Sequence, residues 1–134
     1  MASSFVLLQE PRRLGARIVD NLWVRPVDLA GALRARRYAS DGRVVLDVID
    51  RFCPWNEGRY ALEASAGEAA VTEHTVEPAD LVCTVNEVGA AYLGGTTFRQ
   101  LHRAGRVEER TPGALARADA MFGWDPAPWS PFEF

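Results

Sequence analysis

The chain has 134 residues, enough for one compact domain, and its 48% hydrophobic and 25% charged content is that of a folded globular protein rather than a disordered one. A formal net charge of -3 gives no pull towards nucleic acid or anionic lipid, and no apolar run approaches the ~20 residues that cross a bilayer. All 15 basic residues are arginine and isoleucine occurs only at Ile18 and Ile49, a bias of GC-rich bacterial coding. Met1 to Ser4 carry no basic region and the apolar run Phe5 to Leu8 is too short for a signal peptide. A cytoplasmic setting is expected, in which Cys53 and Cys83 stay thiols.

Residues 1–14 read as a connector, and the domain proper is expected over 15–134. The apolar run from Ile18 to Val27, broken at Asp20-Asn21, predicts one strand or two short ones, with Leu22, Trp23 and Val24 in the core. Asp28 can cap a helix in which Leu29, Ala32, Leu33 and Arg36 follow at helical spacing. Arg34, Arg36 and Arg37 then fall in its last turn, where cations favour the negative end of the dipole. Asp41-Gly42 is a turn, and Arg43 to Asp50 is a strand with Val44, Leu46 and Val48 on one face.

Phe52 to Gly58 reads as a loop with aromatic anchors. Arg59 to Ala64 and Glu68 to His74 alternate as two strands, with Ser65-Ala66-Gly67 as their hairpin turn. Asp80 to Thr84 is a further strand, Asn86 opens a short helix closed by Gly94-Gly95, and Thr97-Phe98-Arg99-Gln100 is a capping box. Thr111-Pro112 reads as the start of a last helix with Leu115, Ala118 and Phe122 on one face, stopped at Gly123. Residues 124–134 form a tail with three prolines and four aromatics, extended and expected to dock on something. The sum is an α+β domain, a mostly antiparallel sheet with helices packed on one side.

Signals for a self-contained enzyme are missing: there is no GxSxG, Walker A loop, HExxH or CxxC. Cys53, His74, Cys83 and His102 lack the compact spacing of zinc ligand pairs, so no metal is expected. Arg12 to Arg17 begins like an acetyl-CoA pyrophosphate loop but ends in arginine and follows a proline. Asp47, Asp50, Glu57 and Glu63 form no acid/base pair and read as solvated strand ends and loops.

Several segments are nevertheless distinctive in combination. Asp20-Asn21-Leu22-Trp23-Val24-Arg25-Pro26-Val27-Asp28, Phe52-Cys53-Pro54-Trp55-Asn56, Ala91-Tyr92-Leu93-Gly94-Gly95, Ala118-Asp119-Ala120-Met121-Phe122 and Ala127-Pro128-Trp129-Ser130-Pro131-Phe132-Glu133-Phe134 occur in that order. Together they resemble the C-terminal domain of the Eis (enhanced intracellular survival) family of GNAT N-acetyltransferases, over about residues 5 to 134. The resemblance implies a sterol-carrier-protein-like fold, with residues 1–14 as the exit from a preceding GNAT-like lobe.

The family acetylates amines, aminoglycosides among them, from acetyl-CoA. By resemblance, the α-carboxylate of Phe134 is the general base and Glu133 lines the pocket of the cationic substrate. The resemblance places acetyl-CoA on GNAT lobes absent from this chain, so no cofactor is expected here and no activity from the chain alone. Two other readings stand beside this one. One is a sterol- or lipid-carrier module with a tunnel lined by Val88, Tyr92, Phe98, Leu101, Leu115 and Phe122. The other is a structural domain that helps build a homo-oligomer.

Overall fold

In the computed structural model, which describes Glu10, Gly15 and residues 22–130, the runs of alternating apolar residues are strands and those of helical spacing are helices. The elements are α1 (Leu29–Ala35), β1 (Gly42–Ile49), a 3-10 turn (Pro54–Asn56), β2 (Gly58–Ser65), β3 (Glu68–Glu73), β4 (Leu81–Thr84), α2 (Val85–Tyr92), α3 (Phe98–Arg103), β5 (Glu108–Glu109) and α4 (Ala114–Phe122). The strands form one five-stranded sheet in the order β3-β2-β1-β4-β5. Every neighbouring pair is antiparallel except β1 and β4, which run parallel. The expected α+β architecture is present, with one parallel pair inside a mostly antiparallel sheet.

Register puts the core on one face. Val44 lies opposite Leu62 and Leu46 opposite Tyr60, while on the other side of β1 Leu46 meets Leu81 and Val48 meets Cys83. These side chains are buried with Leu29 and Leu33 of α1, Val88 and Ala91 of α2, Phe98 and Leu101 of α3, and Leu115, Ala118 and Phe122 of α4. A fully buried large apolar side chain contributes ~1.5–3 kcal/mol relative to exposure, so this cluster dominates the stabilising terms. Asp47 and Arg59 point from the other face, where they pair at 3.2 Å.

Turn chemistry explains the joints. Ser65 pairs directly with Glu68, which leaves a two-residue loop in which Ala66 (φ 51°) and Gly67 (φ 81°) both have positive φ. That is the hairpin geometry whose twist matches the strands it joins. Two helices start differently from the sequence expectation. α2 begins at Val85, because Thr84 and Glu87 form a capping box ahead of Asn86. α4 begins after Gly113 (φ 85°) rather than at Thr111-Pro112, because Thr111 is spent on a turn in which its carbonyl accepts from Ala114 N–H at 3.0 Å.

A larger difference lies at residues 22–27, where no strand forms. Pro26 has no N–H to give a ladder, and the segment instead runs as a strap across α2. Leu22 and Trp23 are exposed and Val24 is only half-buried, so they are not the core residues expected. The close approach of strap and helix requires Gly89: a Cβ there would come 2.4 Å from the Val24 carbonyl oxygen. Gly89→Ala is therefore expected to destabilise the domain by ~1–3 kcal/mol through overpacking, even though alanine is the better helix former. Denaturant titration checks this; unchanged or raised stability would mean that the strap is not pressed on α2.

Candidate functional site

Two junctions carry the polar chemistry of the domain, and α1 connects them. The first is built on Asp50, at the end of β1, which is 1% exposed. Its Oδ1 accepts from Phe52 N–H at 3.1 Å, from Cys53 N–H at 3.0 Å and from the Arg25 guanidinium, and its Oδ2 accepts from Asn56 Nδ2 at 3.0 Å. Asn56 is buried too, and its Oδ1 accepts from Leu29 N–H at 2.9 Å at the start of α1. The strap, the loop after β1 and the first turn of α1 are thus tied through one carboxylate. The reading of Asp50 as a solvated strand-end residue is corrected here: four donors, one of them the Arg25 cation, make its burial tolerable where strand-end periodicity alone shows none of them.

Burial alone would raise the Asp50 pKa, but the bonds from Cys53, Asn56 and Phe52 and the charge of Arg25 outweigh it and hold the carboxyl below its ordinary value. The node also presents rings. Trp55 Nε1 donates to the Val27 carbonyl at 2.8 Å, and the Arg25 guanidinium lies 5.2 Å from the centre of the Phe52 ring. Trp23 (82%), Phe52 (81%), Trp55 (64%) and Val27 (62%) are all exposed. The aromatic anchors expected at 52–58 hold only the strap, Trp55 through the Val27 carbonyl and Phe52 through Arg25, and otherwise form an apolar ledge facing outward.

The second junction is the root of the C-terminal tail. Arg36 follows α1, and its guanidinium sits 4.3 Å from the centre of the Phe122 ring, 4.6 Å from that of Tyr38 and 5.7 Å from that of Tyr92. Its Nη2 donates to the carbonyl of Phe122, the last residue of α4, at 2.9 Å. Contacts with ring faces are worth up to ~2 kcal/mol when desolvated, which offsets part of the burial that lowers the Arg36 pKa. Beside it, Ala39 N–H donates to Met121 carbonyl at 3.0 Å. Gly94 (φ 85°) lies so near that a Cβ would come 2.8 Å from the Phe122 oxygen and 2.9 Å from Trp124 Cβ, and a Cβ on Gly95 would be 3.3 Å from the Pro128 ring.

Beyond this root, residues 124–130 are all exposed, Trp124 by 49% and Trp129 by 59%. Their rings do not enter the domain's own core. Glu133 and Phe134, the two predicted site residues, lie outside the described residues, as does Phe132.

The remaining titratable groups are structural. Glu87 pairs with Arg106 at 2.6 Å, and Asp119 accepts from Phe98 N–H at 2.6 Å and Arg99 Nε at 2.7 Å. Burial pushes the Cys83 thiol up to about 12, which leaves it inert as a nucleophile at neutral pH. His102 Nδ1 is 2.8 Å from the Val107 carbonyl, and the His74 ring lies against Tyr60, its centre 6.5 Å away.

No helix N-terminus among the described residues is open to a pyrophosphate. Asp28 caps α1, Thr84 with Glu87 caps α2, Thr97 with Gln100 caps α3, and Glu109 accepts from Leu115 N–H at 3.0 Å in the first turn of α4. The residues considered for a lipid tunnel pack on one another instead. Phe98 meets Phe122 edge to face at 5.1 Å, Val88 is fully buried, and the half-buried Tyr92 donates its hydroxyl to the Ala32 carbonyl at 2.9 Å. An open basin of about 510 Å³ lies on the far face of the sheet, lined by Asp47, Arg59, Val82 and Arg110 among others. Both arginines there already have carboxylate partners.

The Asp50 node sets a pH dependence. A depressed folded pKa contributes stability that is present above the unfolded value of ~3.9 and is lost as pH falls through the lower, folded value. Asp50→Asn is expected to cost ~2–4 kcal/mol at pH 7, since its amide nitrogen faces donors, and to flatten the acid limb of the stability curve. Urea titrations of both proteins from pH 3 to pH 7 test this, and an unchanged acid limb would remove Asp50 from that role.

Comparison with known proteins gives the domain a family. A family model for the sterol carrier protein domain matches residues 29–131. An uncharacterised N-acetyltransferase of Streptomyces coelicolor is 49% identical over 123 residues, 92% of this chain and 30% of that protein. The N-acetyltransferase Eis of Mycobacterium tuberculosis is 33% identical over 118 residues, 86% of this chain and 28% of that protein. Among solved structures, Eis1 from Mycobacterium abscessus superimposes with a TM-score of 0.70 at 36% identity, covering 80% of this chain and 26% of that one. The chain therefore spans under a third of the length of these relatives. With the mixed sheet, the helices on one face and the family match all in place, the chain belongs to the sterol carrier protein domain family, in the form that makes up part of Eis-type N-acetyltransferases.

Proposed function

We propose that this domain is the accessory part of an Eis-type, acetyl-CoA-dependent N-acetyltransferase acting on amines of the aminoglycoside type. It supplies the α-carboxylate of Phe134 as general base to a separate GNAT lobe. The observation that carries the reading is the outward course of the tail: residues 124–130 leave the body exposed, with Trp124 and Trp129 outside the core, as a segment that delivers its end elsewhere must. The occupied helix N-termini support placing acetyl-CoA on the other lobe. The ledge of Trp23, Val27, Phe52 and Trp55 supports an apolar face against which such lobes dock.

The chemistry is simple. An ammonium group must lose a proton before its nitrogen can attack the thioester carbon, and a carboxylate within hydrogen-bond reach can take that proton. A free α-carboxyl titrates near ~3.5, so enclosure among apolar groups must raise its basicity. The rings of Trp129, Phe132 and Phe134 are suited to that enclosure, and Glu133 adds a negative charge that favours a cationic substrate.

Adding two alanines after Phe134 in the full-length acetyltransferase is expected to lower kcat by ~10²-fold or more, in line with the usual contribution of a general base, with acetyl-CoA binding unchanged. Steady-state kinetics check it, and full activity in the extended protein excludes the terminal carboxylate as base.

A further inference from the structure

Arg36 is placed unlike the two arginines beside it in the sequence. Its neighbours in sequence, Arg34 and Arg37, form exposed ion pairs with Glu73 and Glu68. Arg36 has no carboxylate partner among the described residues; its guanidinium is held by two carbonyls, Arg37 and Phe122, and by the rings of Tyr38, Tyr92 and Phe122. One terminal nitrogen, Nη1, is buried without a hydrogen bond. Leaving a charged donor unsatisfied is costly, and a neutral side chain of similar length could fill the same space. Besides its bond to the adjacent Arg37 carbonyl and its ring contacts, the guanidinium does one long-range thing that an apolar side chain could not: it holds the final carbonyl of α4, where the helix carries its partial negative charge.

The tail starts from that carbonyl. Gly123 N–H is fixed on Asp119 carbonyl at 2.8 Å, Trp124 lies against Gly94, and Pro128 lies against Gly95. Arg36 and the Gly94-Gly95 turn thus act from two sides on the same short stretch of backbone. Rotation at its root swings the whole tail, so a small angular error at Phe122 becomes a displacement of several ångströms some ten residues later, and misplacement by ~1 Å can cost ~10² in rate.

We propose that Arg36 is a positioning residue of the acetyltransferase: pinned between three rings, it clamps the end of α4 and sets the direction in which the tail carries its terminal carboxylate to the reacting amine. The inference rests on the reading of Phe134 as the base. Arg36 acts only through the backbone at residues 122–124 and touches no reactant.

The test uses the full-length acetyltransferase that carries this domain, with Arg36→Met, Arg36→Lys and Gly95→Ala. Hydrogen exchange read by mass spectrometry is expected to rise about tenfold in the peptide spanning residues 116–123 of Arg36→Met, the last turns of α4 with the Gly123 N–H, while β1 and β2 are unchanged. In the same protein kcat is expected to fall about ten- to hundredfold with KM for acetyl-CoA unchanged. Arg36→Lys, which keeps the charge but loses the planar fork, should fall between. Gly95→Ala displaces Pro128 without touching the core, so it reports on tail direction if Arg36→Met fails to fold; its kcat is expected to drop while its melting temperature holds. The proposal is overturned if exchange at 116–123 stays within twofold of the parent protein, or rises equally in β1 and β2. It is also overturned if exchange rises locally and kcat is unchanged while the two-alanine extension abolishes activity. If the extension is harmless as well, the base reading of Phe134 fails and the clamp, shown by exchange alone, stands.

Discussion

Asp50 is the most deeply buried of the charged side chains among the described residues, and the strap and the loop after β1 are arranged around it. Its two oxygens receive the N–H groups of Phe52 and Cys53, the Asn56 amide and the Arg25 guanidinium. Asn56 relays the connection to Leu29 N–H, so the same node that folds the loop after β1 also seats α1. An ionised carboxylate out of water must be saturated with donors, and these donors come from two separate segments, the strap and the loop after β1. That requirement, rather than sheet pairing, holds residues 22–28 on the body. It also explains why bulky rings at 23, 52 and 55 face outward: the backbone is committed to the carboxylate, and the side chains take what is left.

α1 joins this node to the tail root. At seven residues it is ~10 Å long, with Leu29 bonded to Asn56 at one end and Arg36 bonded to Phe122 just past the other. A short helix with both ends tied transmits position well, because few bonds can rotate between its termini. The point where the chain enters the domain and the point where the tail leaves it are therefore held in fixed relation.

Much of the regular structure was legible from pattern. Val44, Leu46 and Val48 alternate, Tyr60 and Leu62 answer them across the hairpin, and the Thr97 capping box was read at its correct position because capping is local chemistry. The strap was misread for an instructive reason. Leu22, Trp23 and Val24 have the β-propensity of a strand, but a strand needs a free sheet edge and donors facing it, and Pro26 with the pinned Arg25 removes both. The sequence around Asp50 reads as solvated, because nothing in its neighbours announces that Arg25 and Asn56 will converge on it. Arg36 was placed in the last turn of α1, close to its true position. Its partner, the end of α4, is 86 residues away in the chain and has no sequence signal.

Sequence alone determined most of the helices and strands and the hairpin turn at 65–68, since spacing, capping residues and turn residues act within a few bonds of where they stand. It also carried the family pattern spread over about residues 5 to 134. Only the tertiary structure decided which charges are buried, which aromatic rings face solvent and which backbone group holds the root of the tail. Those outcomes depend on segments far apart in sequence meeting in one low-dielectric place, where an unpaired charge is costly enough to choose its partners.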